Sequence, residues 1–458
     1  MPNLINTKIS AVEKVTMRKV SWRILPLALT LYVVSSLDRI SLGYAQLDMG
    51  TELGIDPAAF GFAAGIFFAG YILLEMPSNA IMYRIGARIW LARIAITWGL
   101  VTIASGFVQN ETQLIVSRIL LGVAEAGLAP GVIFYFASFF PAAYKARSAA
   151  IFLLGSSLAG IIGGTLSGLI LDSSDWFGLS SWRWIFILFG IPAFLLGLLL
   201  YIAISDSPSQ AKWLSEGEKA WLVNRLTMER DAVSGSVGHT GGFRQTLTDP
   251  KVLMLSLIQF FLACGFFGIA FWLPQIIRGL AEGSSNTIVG FLSAVPYVIG
   301  GTSLIVVGRL SDRKKERIWH TVIPLTLGGA IFVVVPLVSG SLVVSMLLLC
   351  VAAAGLYGST GGFWAIIQQQ FSGYRAALSI AAVNSLGMTG GLVAPYVFGL
   401  LTKYTGSTNA GITYLGIGIL TAALILVLTR KRWVDAAQAV TESNSEGSIL
   451  PAATRPTR

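Results

Sequence analysis

The sequence predicts an all-α membrane protein of twelve transmembrane helices in two six-helix halves. Composition is the first observation behind this: 54% of the 458 residues are apolar and 12% charged, with a mean hydropathy of +0.73. Segment length is the second, because crossing roughly 30 Å of hydrocarbon takes about 20 apolar residues in a helix. The third is the placement of Lys and Arg, which collect in alternate connections, the pattern of loops facing the cytoplasm.

Runs of spanning length fall at about 24–45, 58–81, 88–108, 113–136, 146–171, 183–204, 252–277, 285–308, 318–338, 341–364, 376–402 and 409–429. The first is full length and carries Asp38 and Arg39, so it is not a signal peptide. Lys8, Lys14, Arg18, Lys19 and Arg23 precede it. Arg84 and Arg88 follow run 2, and Lys145 and Arg147 follow run 4. Lys212, Lys219, Arg225, Arg230 and Arg244 occupy the middle loop, and Arg309, Arg313, Lys314, Lys315 and Arg317 follow run 8. The links after runs 1, 3 and 9 hold no Lys or Arg. With an even number of spans, both termini are expected in the cytoplasm of a multi-pass inner-membrane protein. The net charge of +10 is thus a topology signal, and nucleic acid is not an expected partner.

The expected plan is a cytoplasmic tail at 1–23, a first half at 24–204, a cytoplasmic linker at 205–250, a second half at 251–430 and a cytoplasmic tail at 431–458. Six spans, a linker and six spans is the arrangement of transporters built from repeats. Within the linker, Ser215-Glu216-Gly217-Glu218 has capping-box spacing ahead of Trp221 and Leu222, which predicts a short surface helix. The linker then turns Gly/Ser-rich at Ser234-Gly235-Ser236 and Gly241-Gly242, a flexible composition. The last segment, polar and rich in Ser, Thr and Ala, reads as disordered.

Two loops match between the halves. Gly308-Arg309-Leu310-Ser311-Asp312-Arg313 follows run 8, and Pro77-Ser78-Asn79 through Arg84 to Arg88 occupies the corresponding place after run 2. Asp312 at a helix end suits pairing with Arg and helix N-termini across the two halves, a contact able to lock one conformation. Asp312, Arg313 and Arg309 form one side of this expected lock; Asn79, Arg84 and Arg88 form the other, with Asn79 in place of the acid. Glycine concentrates inside spans, above all Gly155, Gly160, Gly163, Gly164 and Gly168 in run 5 and Gly387, Gly390, Gly391 and Gly399 in run 11. Close helix packing is the favoured reading, since small residues let helices approach in lipid.

Charges inside the spans carry the functional signal. Each costs about 2.5–3.5 kcal/mol or more at a helix centre, and such residues mark sites and pathways. Asp38 and Arg39 are neighbours in run 1, about 100° apart around the helix, so each needs a partner elsewhere. Arg118 and Glu125 in run 4 are seven residues apart, on one face and about 10 Å apart along it. Gly122 and Ala126 near that face would admit run 1, and two acid–base pairs across runs 1 and 4 are a natural solution. Structural ion pairs are the alternative, although buried pairs are weak stability devices. Desolvation favours the neutral form of a carboxyl, which makes Asp38 and Glu125 candidates for proton coupling. Arg39 and Arg118 suit an anionic substrate, above all a carboxylate gripped bidentately. An anion on one Arg would remove the counter-charge of its carboxylate partner and so favour that carboxyl's protonation. Glu75 is a third intramembrane acid, as readily structural as functional.

The second half offers polar and aromatic candidates instead. Trp272, Trp364, Gln368 and Asn384 are candidate substrate contacts, each with helix packing or helix-to-helix hydrogen bonding as its alternative. Cys264 and Cys350 are read as small core residues. No cofactor fingerprint, nucleophile–base set or metal cluster is visible, so neither an enzyme nor a metal or cofactor is expected.

Together, Ser36-Leu37-Asp38-Arg39, Pro77-Ser78-Asn79, Gly86-Ala87-Arg88, the stretch from Arg118 to Gly131, Phe271 through Ile277, Trp213-Leu214-Ser215 and Asn384-Ser385-Leu386-Gly387 resemble the anion:cation symporter family of the major facilitator superfamily. The resemblance runs from about residue 20 to 430 and is nearest to bacterial permeases for tartrate, phthalate, 4-hydroxyphenylacetate and sugar acids. It implies the major facilitator fold, with a central cavity between the halves and alternating access. It also implies import of a small organic anion with protons, acids at Asp38 and Glu125, substrate-facing Arg39 and Arg118, and a polar substrate contact at Asn384. The expected protein is a proton symporter for a small carboxylate, functional as a monomer. An efflux antiporter of organic anions is the first rival, disfavoured by Gly160 where antiporters carry proline. A non-transporting nutrient receptor is the second, disfavoured by the short tails.

Overall fold

The computed structural model describes residues 2–173, 176–234, 243–338, 341–371 and 373–433. The Gly/Ser-rich part of the linker at 235–242, with His239, and the tail from 434 onward lie outside the described residues. The fold is α-helical, and twelve helical stretches are long and apolar enough to cross a membrane.

Helix α1 is unbroken from Pro2 to Leu53. The segment expected as a separate tail therefore continues the first span. Met17, Val20 and Ile24 are buried along it, and Lys19 pairs with Glu218 at 2.6 Å. The remaining first-half helices are α2 (Pro57–Ile85), α3 (Ala87–Ser105), α4 (Glu111–Glu125), α5 (Leu128–Phe139), α6 (Ala142–Leu171) and α7 (Ser181–Ala203). The linker contributes α8 (Glu216–Ser234) and the short α9 (Phe243–Leu247). A capping box starts α8: the Glu218 carboxylate accepts from the Ser215 amide at 2.8 Å, and the Ser215 hydroxyl accepts from the Glu218 amide at 3.4 Å. The second half is α10 (Pro250–Leu280), α11 (Asn286–Lys314), α12 (Trp319–Val334), α13 (Leu342–Gln370), α14 (Gly373–Gly387), α15 (Thr389–Thr405) and α16 (Asn409–Leu428).

Two spans are each built from two helices. Residues Glu111–Phe139 form one span, yet its helix stops at Glu125 and restarts at Leu128. Pro130 explains the stop, because it has no amide to bond the carbonyl of Ala126. That carbonyl accepts from the Ser78 hydroxyl instead, at 2.6 Å. Gly127 completes the break in the left-handed region at φ +87°, where a side chain would also strike Ser78. The second composite span joins α14 to α15 at Met388.

The halves meet along three seams, α1 on α10, α2 on α15 and α6 on α11. Glycines close each one. Gly43 lies on the Phe271 carbonyl, Gly61 on that of Pro395, Gly65 on that of Leu392 and Gly399 on that of Pro57. In the third seam Gly164 and Gly290 meet through each other's backbones, Gly168 lies on Asn286, and Gly160 lies against the Tyr297 ring. These contacts fall mainly in the helix halves remote from the chain termini, so the molecule is closed on that far side. Outward-facing Leu73, Ile202 and Leu347, 75%, 78% and 63% exposed, belong to the apolar belt that lipid covers.

Two carboxylates tie the far side across the halves. Asp56 caps α2, accepting from the amides of Ala58 and Ala59 at 2.8 and 3.0 Å, and also binds Lys403 at 2.8 Å. Asp172, at the end of α6, accepts from the first amides of α11, Asn286 and Thr287, at 2.9 and 2.7 Å. The Lys403 hydrogen bond and then the α2 amides hold the Asp56 carboxyl below the ordinary carboxylate range. Partial burial pushes the Asp172 carboxyl up, but bonds from the Thr287 hydroxyl and the α11 amides outweigh it and leave it lowered. Opening the far side would return both groups towards ordinary values, so the open form binds protons first. The preference for closure is therefore full above about pH 4 and is lost as pH falls through the lowered values. Spin labels at Phe107 and Leu337, on far-side ends of opposite halves and 53% and 81% exposed, should move apart on acidification. Asp172→Asn should blunt that movement; a distance independent of pH would refute the latch.

Candidate transport site

Four charges meet where α1, α2 and α4 pack. Arg39 pairs with Glu125 at 2.5 Å, and the Ser35 hydroxyl, one turn earlier on α1, donates to the same Glu125 oxygen. Spacing of four places Ser35 and Arg39 on one face. Glu125 is fully buried and Arg39 is 9% exposed. Asp38 faces the other way, within electrostatic reach of Arg118. Both are fully buried; the Thr102 side chain supports Asp38, whereas among the described residues no guanidinium nitrogen of Arg118 makes a hydrogen bond. Of the two expected pairs, one is made and the other is held apart.

Aromatic rings line the arginines. The Arg39 guanidinium lies 5.4 Å from the Phe67 ring centre and 5.5 Å from that of Tyr71, and Arg118 also lies 5.4 Å from Phe67. Phe67 thus serves both cations, a favourable contact in a desolvated setting. Gly122 does not admit α1, as the sequence suggested. It lies on the Phe67 carbonyl of α2, and Gly70 of α2 lies on the Ile119 carbonyl of α4. Glycines on both helices bring α2 to α4, whereas α1 reaches α4 through the long Arg39 side chain.

The second-half candidates separate. Trp272 is 2% exposed, stacks on Phe398 with centres 4.6 Å apart and donates to the Pro395 carbonyl at 3.2 Å. In this conformation it packs the α10–α15 contact, the packing alternative of its reading. Trp364 is half-buried and Gln368 exposed, both towards the termini side of α13. Asn384 reaches across the halves to the Glu75 carboxylate at 3.4 Å, and Ser385 does so at 2.9 Å.

The expected lock residues do not bind one another in this conformation. Asp312 pairs with Arg317 of its own loop at 2.5 Å, and Arg309 and Arg313 are exposed. On the other side Arg84 is exposed, and the Asn79 amide donates to the Glu75 carbonyl at 2.7 Å. The Arg88 amide donates to Asp206 at 2.8 Å and its side chain to the Tyr201 carbonyl at 2.6 Å. Among the described residues, no side-chain hydrogen bond or ion pair joins the halves nearer the termini than Glu75.

Sequence reasoning missed Ser35, Phe67 and Tyr71. Their signal was spacing: Ser35 and Arg39 on α1, and Phe67, Tyr71 and Glu75 on α2, follow steps of four.

The sequence profile of the Major Facilitator Superfamily matches residues 28–395. The chain belongs to the Major Facilitator Superfamily. Among superfamily relatives, a protein of Agrobacterium vitis provisionally named a tartrate transporter is 37% identical over 422 residues, 92% of this chain and 96% of that one. A quinolone resistance transporter of Acinetobacter baumannii is 37% identical over 412 residues, 89% of this chain and 93% of that one. The solved xylose transporter XylE of E. coli shares the fold, with a TM-score of 0.70 at 18% identity, covering 88% of this chain and 96% of that one. This superfamily member is accordingly a multi-pass membrane transporter of a small molecule and not an enzyme.

Proposed function

We propose that the chain imports a small organic anion together with protons, by alternating access across a bacterial inner membrane with both termini in the cytoplasm, and that it acts as a monomer. The observation carrying this reading is the incomplete charge set. Arg39 is held by Glu125, while Arg118 is buried without a hydrogen bond and without an ion pair to Asp38 among the described residues. A proton on Glu125 removes the counter-charge from Arg39, which is then free to grip a substrate carboxylate bidentately. Departure of the anion returns Arg39 to Glu125 and expels the proton. Asp38 and Arg118 offer a second exchange of the same kind. The carboxylate class, whether tartrate-like, sugar acid or aromatic acid, is supported by the tartrate name of one relative. Expected lock pairs between Asp312, Arg313 or Arg309 and the Asn79, Arg84 and Arg88 loop belong to the opposite conformation, in which the termini side closes.

A panel of labelled organic acids, offered to proteoliposomes with and without an inward proton gradient, tests the proposal. Gradient-dependent accumulation of a carboxylate is expected; loss of preloaded acid driven by that gradient would establish export instead. Export is the second reading, favoured by the quinolone resistance name of one relative.

A further inference from the structure

Glu75 stands apart from the four central charges. It is 5% exposed, inside α2, and its carboxylate is held by neutral donors of the other half. One oxygen accepts from the Ser385 hydroxyl at 2.9 Å and the other from the Asn384 amide at 3.4 Å. No cation pairs with it among the described residues. Arg39 of α1 acts on it from a distance, with Tyr71 between them on the α2 face and Glu125 of α4 already on Arg39. Asn79 of α2 takes its backbone carbonyl, and Gln259 of α10 lies against Gly387, at the end of the helix that supplies the donors.

The position matters as much as the partners. The α2–α15 seam is glycine on backbone from Gly399 and Pro57 down to Gly65 and Leu392, then Gly391 on the Phe68 ring. Glu75 with Asn384 and Ser385 is its polar end. A buried carboxylate without a counter-ion stays ionised only while hydrogen bonds compensate it. Here both side-chain donors belong to the opposite half. When the halves part at this point the carboxylate exchanges both for water, which supports the ionised form; when they close it is dehydrated again with only neutral donors, and a proton is favoured.

We propose that Glu75 is a proton-exchanging group of the transport cycle, protonated while the α2–α14 contact buries it and deprotonated when the contact parts and water reaches it. The carboxylate takes up one proton as closure dehydrates it, becoming a neutral acid, and releases that proton to water when the contact parts. This rests on the proton-coupled reading above and adds to it a third acid, one that senses the separation of the halves directly.

The test follows conformation in the full-length, substrate-free protein. Spin labels go at Tyr83 and Leu310, on termini-side ends of opposite halves and 76% and 42% exposed, with Cys264 and Cys350 replaced by alanine. Their distance should show a step with pH. Glu75→Gln, which keeps the side-chain shape, should abolish the step or move it by at least about one pH unit, and Glu75→Asp should restore it. Replacing Asn384 and Ser385 by alanine should move the same step while the acid remains. The proposal is overturned if wild type shows no step, or if Glu75→Gln keeps the wild-type midpoint and changes only thermal stability. Uptake distinguishes its failure from that of the functional reading: proton-dependent uptake identical in wild type and Glu75→Gln refutes Glu75 alone, whereas proton-independent uptake in wild type refutes symport.

Discussion

Arg39→Ala is expected to abolish uptake and to lower the thermal midpoint sharply. The substitution removes the cation from a pair in which Glu125 is fully buried, leaving a carboxylate with the Ser35 hydroxyl as its hydrogen bond and Arg118 acting from a distance. Removing one partner of a buried pair costs about 3–5 kcal/mol, far more than the pair itself contributes. Adding Glu125→Gln removes the stranded charge, so the double variant should regain most of the lost stability. Uptake should not return, because the group that grips the substrate is still missing. Thermal midpoints and uptake measured on the two single variants and the double variant separate these effects. A single variant as stable as wild type would show that Glu125 is neutralised independently of Arg39. A double variant that transports would remove Arg39 from substrate binding.

Glu125→Gln alone should divide net transport from exchange. Glutamine fills the same space but neither gains nor loses a proton, and it leaves Arg39 without its anionic competitor. Accumulation driven by a proton gradient should fall at least about tenfold, while exchange of labelled for unlabelled substrate persists. The apparent affinity in exchange should hold or rise, since the substrate no longer displaces a carboxylate. Equal accumulation in wild type and variant would transfer the coupling role to Asp38.

The twelve spans and the four central charges were legible because a bilayer makes both conspicuous: apolar runs have a minimum length, and a charge within one is costly. What the charges touch was less legible. Arg118 and Glu125 lie on one face whichever helix packs there, and only the joint glycines Gly70 and Gly122 bring α2, not α1, against it. Trp272 stayed open between binding and packing because the sequence does not reveal that Pro395 and Phe398 cover it. The interruption after Glu125 was spelled out by Gly127 and Pro130 but masked by the apolar residues around them. Asn384 was identified as a polar interruption, while its partner Glu75 sits 309 residues away, a separation no periodicity bridges.

That interruption has a mechanical meaning. A continuous span transmits a push along its axis and resists bending, because bending breaks its own hydrogen bonds. The span holding Glu125 is jointed at Ala126–Gly127, and the carbonyl freed at the joint is tethered to Ser78 of the neighbouring helix. Its two rods are able to swivel at little internal cost, with the ion pair at the pivot. The Arg39–Glu125 pair therefore bears on the span at its joint, where the fewest backbone bonds of its own resist bending.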